Sequence, residues 1–257
     1  MKILHVIPAF YPASAYGGTV EVAYQLSKEL VRIGHDVTVY TSDTCDKYNR
    51  QKFQYSDIDG VKVYYFKTIS NRLAWNHRII FTPGMILKLR EEIKKFDIIH
   101  LHGFRNILDV VTYYYAKKYR IPYVIHGHGD LPILFGKQNL KKLFDIVWGD
   151  QILQNAEGII ALTSLEAEQF IKFGVKEDRV HIVANGIDLL QYEDIPPRGE
   201  FKALYNIPSD THVILFLGRL HPIKGVDILI HAFEIVSKGI DNCVLVVAGP
   251  DDGSLSE

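Results

Sequence analysis

The sequence predicts an α/β protein in which a large parallel sheet is followed by the first strand, helix and strand of a second sheet. Two observations predict this class. Short apolar runs with little alternation, typical of strands buried on both faces, recur along the 257 residues. Between them lie stretches whose apolar residues have helical spacing, as in the crossover connections of parallel strands.

Strands and helices are predicted in alternation along the chain. The predicted strands cover 2–7, 35–43, 61–67, 96–103, 121–130, 158–161, 178–188, 213–217 and 243–250. The predicted helices cover 19–33, 84–95, 106–118, 140–156, 164–173 and 226–237. The stretches 44–60, 68–83 and 189–210 are polar or irregular and carry no predicted strand or helix.

The proline pair Pro196–Pro197 marks the predicted boundary between two domains. The first domain, 1–195, is long enough to bury its own core. The second, 196–257, contains a linker and only strand, helix and strand. Two strands and one helix cannot cover both faces of a sheet, so we expect this segment to be the truncated start of a domain.

Composition limits the classes of function. A net charge of −1 gives no electrostatic preference for nucleic acid. Cys45 and Cys243 lie far apart in sequence and indicate a reducing compartment, so we expect a cytoplasmic protein. No run reaches the ~18 apolar residues of a membrane span. The basic residues of 84–95 are typical of a solvated face, with contact to anionic lipid at the inner face of the membrane as the alternative.

The stretch 213–231 predicts an anion site. A buried strand ends at Gly218, and Arg219 and Lys224 follow in a short loop before a helix begins. Two cations beside a helix N-terminus can hold a diphosphate. The alternative is a solvated turn that contains two basic residues.

Other candidate residues also lie in loops at strand or helix ends. Gly17 and Gly18 precede the first helix, where backbone amides can approach a phosphate, although a flexible turn has the same composition. Asn185 is a candidate for substrate binding, although its Asn-Gly sequence also suits an ordinary turn. Asp251–Asp252 follows a strand and indicates a turn rather than a metal site.

Four histidines lie at the ends of two predicted strands. His100 and His102 alternate on one strand, and we expect one to line the core and one the edge of a cleft. No third metal ligand is evident, so no metal site is predicted. His126 and His128 end the next strand, among glycines that allow a substrate to approach. They are catalytic or binding candidates, with a solvent-facing strand end as the alternative.

Several of these motifs resemble one family. The loop GRLHPIKG (218–225) is similar to the G-R-x-x-x-x-K-G loop of the GT4 family of retaining glycosyltransferases. The glycine pair before the first helix, the histidine after the Pro-x-Val strand and the segment VANGID (183–188) are also similar to that family. The resemblance implies a GT-B-like fold, with an N-terminal Rossmann-type domain on the acceptor side and a donor-binding second domain.

The resemblance also implies roles for the candidate residues. Arg219, Lys224, Gly17 and Gly18 would bind the donor diphosphate. His128 would be the catalytic residue that contacts the donor sugar, with His126 as second choice because strand parity directs it the opposite way. Asn185 would lie on the hinge side of the cleft.

The implied reaction moves a sugar from a UDP- or GDP-linked donor to a hydroxyl of a glycan or lipid-linked acceptor, with retention and without a metal or other cofactor. Polysaccharide, glycolipid or cell-surface glycan synthesis would be its setting. The paired-glutamate motif of the family's second domain is absent from the sequence. The alternatives are another GT-B activity, such as a phosphorylase or an epimerase, and a non-catalytic half that binds an acceptor or a partner.

Overall fold

The structure, a computed structural model, describes residues 1–132 and 138–250, apart from the side chains of Gln191 and Ile223. The predicted turn at Asp251–Asp252 lies outside these residues. The chain divides into two compact units, Met1–Asp188 and Leu189–Glu257. Within the described ranges, no helix combines the length and apolar character needed to cross a membrane.

The first unit is built on a sheet of eight strands, counted over its described residues. The strands are β1 (Lys2–Val6), β2 (Asp36–Ser42), β3 (Tyr55–Ile58), β4 (Val61–Phe66), β5 (Ile98–His102), β6 (Tyr123–His126), β7 (Gly158–Ala161) and β8 (Val180–Ile182). Their spatial order is β3-β4-β2-β1-β5-β6-β7-β8. Neighbouring strands pair in parallel, except that the edge strand β3 is antiparallel to β4.

Helices connect these strands. They are α1 (Gly18–Arg32), α2 (Asn71–His77), α3 (Pro83–Glu92), α4 (Ile107–Tyr119), α5 (Gln138–Phe144), α6 (Asp150–Gln154) and α7 (Ser164–Lys172). A π-helical turn, Asp145–Gly149, joins α5 to α6.

Alternate residues of β1 and β2 enter two separate hydrophobic cores. In β1, Leu4 and Val6 join one core, while Ile3 joins the second, which also contains Ala23 of α1. Because side chains alternate along a strand, His5 lies on the same face as Ile3. The face of the sheet packed against α1 is therefore the face that carries His5.

The second unit has a small parallel sheet. It contains α8 (Glu200–Leu204), β9 (His212–Leu217), α9 (Val226–Ser237) and β10 (Cys243–Ala248), and β9 pairs with β10. Large apolar side chains on β9 and α9 are exposed, among them Leu217, Ile228 and Ile235.

The predicted class, a Rossmann-type parallel sheet followed by a second strand–helix–strand unit, is confirmed. Several local predictions are wrong. Strand β3 and helices α2 and α8 lie in stretches that we expected to be irregular. Two other predictions are confirmed. The strand expected within 178–188, ahead of the Asn185-Gly186 turn, is regular over Val180–Ile182, and the expected helix 140–156 is helical as far as Gln154, with the π-helical turn inside it.

Candidate active site

The order of the strands places a crevice at the ends of β1 and β5. Chain connections run outward from β1 through β2 to β4 in one direction and from β5 through β6 to β8 in the other. In open α/β sheets, ligands bind beyond the carboxyl ends of the strands where the order reverses. The loops that follow β1, β5 and β6 therefore form the candidate active site.

Gly17 and Gly18 lie in the loop after β1, where α1 begins. Gly17 is the N-cap, and its φ of +99° belongs to the left-handed region that favours glycine. Gly18 is the first helical residue, and a Cβ built there would meet nothing within 4 Å. The N–H of Gly17 donates to the Ser14 carbonyl and that of Val20 to the Gly17 carbonyl. The N–H of Gly18, the first amide of α1, has no partner within the helix, so a phosphate oxygen could approach it there.

Five histidines on three neighbouring strands and the loop after β6 form what we call the histidine cluster. Its members are His5, His100, His102, His126 and His128. The register pairs His5 of β1 with His100 of β5, and His102 of β5 with His126 of β6. Adjacent rings in the cluster have centroids between 3.8 and 6.0 Å apart.

Three rings of the histidine cluster are joined by hydrogen bonds. His5 Nδ1 lies 2.9 Å from His102 Nε2, and His102 Nδ1 lies 3.1 Å from His128 Nε2. Among the described residues, His5 Nε2, His100 Nε2 and both ring nitrogens of His126 are buried without a hydrogen-bond partner. The cluster is therefore a buried polar group that is only partly hydrogen-bonded.

Burial keeps the histidine cluster neutral. Desolvation lowers the pKa of His5 and His128 to about 3 and that of His126 to about 4. It also lowers the pKa values of His100 and His102 well below the usual range, and repulsion between the rings adds to the effect. At neutral pH these rings can donate or accept hydrogen bonds, but they supply no positive charge.

The loop after β6 holds His128 in a fixed position. β6 ends at His126, and His128 has a φ of +53°, an unusual conformation for a residue with a side chain. A Cβ on Gly127 would lie 2.6 Å from both Phe170 Cζ and Glu166 Oε1. The backbone N–H of Gly129 donates to Glu166 Oε1 over 2.8 Å. These contacts fix the loop against α7.

An ion pair supports the other side of this loop. Arg105 donates to both carboxylate oxygens of Asp145, over 2.7 and 2.8 Å, and Arg105 Nη1 donates to the carbonyl of Asp130. Asp130 itself is accessible to solvent, yet protein atoms crowd its carboxyl group. The resulting desolvation raises the pKa of Asp130 to about 6.

Two predictions about the histidines are wrong. We expected His126 and His128 to point in opposite directions, but residues two apart in a strand share a face, and the two rings stack at the end of β6 with centroids 3.8 Å apart. We expected one of His100 and His102 at a cleft edge, but both are buried and their rings stack at 4.2 Å.

We also predicted that no third possible metal ligand lies near His100 and His102, and this is wrong. Two groups, His5 with His100 and His102, and His102 with His126 and His128, have one nitrogen from each ring within 4.8 Å of the others. In each group, however, two rings already face each other across a hydrogen bond, His5 with His102 and His102 with His128. The third ring, His100 or His126, is stacked on one of them, so the lone pair of its nitrogen runs beside that ring rather than toward a common point. An ion would therefore require the rings to move.

Arg219 and Lys224 lie in the second unit, in the loop between β9 and α9. Arg219 is half-buried and Lys224 is exposed. The loop is closed by backbone hydrogen bonds, among them Leu220 N–H to Pro250 O over 2.9 Å, and Gly225 caps α9 with a φ of +65°. The structure thus brings both basic residues into one short loop before a helix, as predicted from the sequence.

The remaining candidate, Asn185, lies elsewhere. It is exposed in the irregular stretch after β8, at the edge of the large sheet. By contrast, His126, His128, Gly17 and Gly18 belong to the carboxyl edge of the central strands. Sequence analysis did not single out His5, Arg105 or Glu166. Each of them belongs to the site through a hydrogen bond to a residue distant in sequence, which no local pattern reveals.

A parallel sheet with a crevice at its switch point, followed by a second strand–helix–strand unit, defines the class of GT-B-like α/β proteins. The solved structure of Anabaena Alr3699/HepE in complex with UDP-glucose has this fold, with a TM-score of 0.66 and 20% sequence identity over all of this chain and 62% of that one.

Sequence comparison gives the family. The sequence model of Glycosyltransferase Family 4 matches residues 16–190, and that of Glycosyl transferases group 1 matches residues 197–257. The chain belongs to Glycosyltransferase Family 4 and has the GT-B fold.

Curated relatives are distant and longer. The chain is 25% identical to a D-inositol 3-phosphate glycosyltransferase of Kineococcus radiotolerans, over 89% of this chain and 54% of that protein. It is 28% identical to an uncharacterized glycosyltransferase of Methanocaldococcus jannaschii, over 94% of this chain and 61% of that protein. The chain thus spans between about half and two thirds of these relatives.

Proposed function

We propose that this chain binds a nucleoside-diphosphate sugar and acts in the transfer of the sugar to a hydroxyl acceptor, with retention. The observation that carries the proposal is the carboxyl edge of the central strands. There, in a GT4 chain, an open helix start follows β1 and a histidine held in a strained loop follows β6, the two strands on either side of β5. This combination supports binding of a phosphate-bearing sugar beside a neutral hydrogen-bonding ring.

Each proposed residue has a separate task. Arg219 and Lys224 offset the charge that develops on the leaving diphosphate, and removing such a contact costs about 3 kcal/mol. The backbone N–H of Gly18 donates to a phosphate oxygen, and Gly17, whose own N–H already donates to the Ser14 carbonyl over 2.9 Å, lets the phosphate approach because it has no side chain. His128 makes a hydrogen bond to the donor sugar, and because its pKa is lowered to about 3 it does so as a neutral ring rather than as a proton-donating acid. We propose that no metal takes part.

The proposed donor is UDP-linked, with a GDP-linked donor as the alternative. The neighbouring Anabaena structure contains UDP-glucose, which makes it the first donor to test. The proposed acceptor is a glycan or lipid-linked hydroxyl at the cytoplasmic face of the membrane. A phosphorylated polyol is a second choice, because the Kineococcus relative is named for inositol 3-phosphate.

Calorimetric titration of the 257-residue chain with UDP, UDP-glucose and GDP tests donor binding. Replacing Arg219 or Lys224 with alanine should weaken UDP binding about 10- to 100-fold, since a charged hydrogen bond contributes about 1.5–3 kcal/mol. Arg198→Ala is the matched control, because Arg198 is an exposed arginine of the same unit. Unchanged affinity in Arg219→Ala and Lys224→Ala would overturn the diphosphate assignment.

Gly18→Ala tests the helix start. The added methyl group meets nothing within 4 Å, so the stability of the free chain should hold or rise slightly. If a phosphate approaches this backbone, the same methyl group should weaken UDP binding at least severalfold. Equal UDP affinity in the wild type and Gly18→Ala would remove Gly17 and Gly18 from the site.

A non-catalytic binding role is the second candidate, and the partial coverage of the relatives favours testing it. The chain would then bind UDP-glucose, or only an acceptor or partner, without releasing UDP. Incubation with UDP-glucose and a panel of glycan and lipid-linked acceptors, followed by measurement of UDP, separates the two. Release that depends on acceptor supports transfer, while binding without release supports the second candidate.

A further inference from the structure

The hydrogen-bonded rings His5, His102 and His128 form a head-to-tail row. In each link, Nδ1 of one ring faces Nε2 of the next. His5 and His102 are fully buried, and His128, at the open end, is half-buried. This row of three rings therefore runs from the interior of the sheet to His128, the residue that we assign to the donor sugar.

A neutral imidazole has one N–H and one bare nitrogen, so it donates at one position and accepts at the other. If His102 donates from Nδ1 to His128, its Nε2 must accept from His5 Nδ1. If His102 instead donates from Nε2, both neighbours must carry their hydrogen on Nε2. All three rings consequently share one tautomer, and changing one requires changing all three.

His5, at the buried end of this row of rings, selects between the two arrangements of hydrogens. His5 Nε2 has no partner among the described residues. In the Nε2–H arrangement a buried N–H would be left without an acceptor, and in the Nδ1–H arrangement only a bare nitrogen remains. Unpaired buried N–H groups are the rarer of the two in native proteins.

We propose that His102 is a positioning residue that fixes His128 as the Nδ1–H tautomer, so that His128 offers an N–H donor to an oxygen of the donor sugar. The proposal rests on the proposed function only for the identity of that ligand. The tautomer itself is a property of the free chain, because both hydrogen bonds that set it are internal.

Nuclear magnetic resonance of the chain labelled with ¹⁵N-histidine tests the tautomer directly. Long-range proton–nitrogen correlations distinguish a protonated Nδ1 from a protonated Nε2. At pH 7 we expect His5, His102 and His128 all to be protonated at Nδ1. Different tautomers among the three rings, or Nε2–H on His128, would overturn the proposal whether or not any sugar binds.

Two substitutions at His102 separate positioning from packing. The amide of asparagine occupies the place of Nδ1, so His102→Asn should keep the bond to His128 and its tautomer. The amide of glutamine occupies the place of Nε2, so His102→Gln should keep the bond to His5 and release His128. We expect His128 to become a mixture of tautomers in His102→Gln only.

Binding of UDP and UDP-glucose to the same variants links the tautomer to the ligand. His102→Gln should lose about 3- to 10-fold in affinity for UDP-glucose and little for UDP, since one neutral hydrogen bond is lost. His102→Asn should retain both affinities. Equal losses for both ligands in both variants would indicate a merely structural role.

The failures of the two proposals are distinguishable. If wild-type chain binds UDP-glucose no better than UDP, the assigned contact between His128 and the sugar is wrong, while the tautomer measurement still decides the proposal for His102. If His102→Gln does not fold, its tryptophan fluorescence will show it, and the wild-type and His102→Asn spectra remain decisive.

Discussion

Gly127 lies where there is no room for a side chain. An added Cβ would come within 2.6 Å of Phe170 Cζ and of Glu166 Oε1. Phe170 is fully buried and cannot move aside, and Glu166 is held by the amides of Gly129 and Leu162. The absence of a side chain at this position thus allows the loop that carries His128 to pack on α7.

Gly127→Ala should therefore lower the free energy of unfolding by about 1–3 kcal/mol, the usual cost of overpacking. Urea unfolding followed by tryptophan fluorescence measures it, because Trp75 and Trp148 both belong to the first unit. Gly84→Ala is the control, since a Cβ there meets only ordinary contact at 3.5 Å in the first turn of α3. Equal stability of the two variants would contradict the packing described.

The histidine cluster shows what a single sequence reveals at the scale of residues. Alternation within a strand indicates that His100 and His102 share a face, and glycines mark the loop of His126 and His128. The approach of His5 depends on the register between β1 and β5, which no local pattern encodes. The prediction that His126 and His128 point in opposite directions failed for a different reason, because residues two apart in a strand lie on the same face, as His100 and His102 do.

At the scale of elements, α4 begins with a capping box beside the candidate active site. Asn106 Oδ1 accepts from the backbone of Asp109, and Asp109 Oδ2 accepts from the backbone and side-chain amides of Asn106. Asp109 is buried, and desolvation raises its pKa well above the usual range. The side chain of Asn106 thus both caps the helix and satisfies a buried carboxyl group.

Asn106→Ala should cost about 1 kcal/mol for the cap and about 1–3 kcal/mol more for the lost partner of Asp109. Asn106→Ser retains a capping hydroxyl but no amide donor, so its stability should fall between the wild type and alanine. Urea unfolding of the three proteins gives the order. If serine and alanine are equally destabilising, the buried carboxyl group rather than the cap dominates.

Helices and strands could be predicted from the sequence where the apolar residues that form the pattern are also the buried ones. Strands β1, β2, β4, β5 and β6 are apolar runs in the middle of the sheet, and α1 has a clear apolar face. The missed elements are short and polar or lie at an edge. β3 is held by antiparallel pairing to β4, and α2 by Ser70, whose side chain accepts from Leu73 N–H. Such tertiary and capping contacts leave little trace in periodicity.

At the scale of the whole molecule, the neutral histidine cluster makes stability depend on pH. The pKa values of His5, His126 and His128 are about 3, 4 and 3 in the folded chain, against an ordinary value near 6.5. Between pH 4 and 6.5 the unfolded chain binds more protons at these positions than the folded chain does. The free energy of unfolding should therefore be highest above pH 6.5 and fall as the pH drops toward 4.

His126→Leu isolates this contribution, because both His126 ring nitrogens lack hydrogen-bond partners among the described residues and the change removes none. Each such histidine adds up to about 1.4 kcal/mol per pH unit to the slope. We expect the slope of stability against pH between 4.5 and 6 to be smaller in His126→Leu than in the wild type by about that amount. His181→Gln, which changes an exposed histidine of β8 outside the histidine cluster, is the matched control. Identical slopes in His126→Leu and the wild type would mean that His126 takes up protons in the folded chain. The histidine cluster would then carry positive charge at the candidate active site rather than a set of neutral hydrogen-bonding rings.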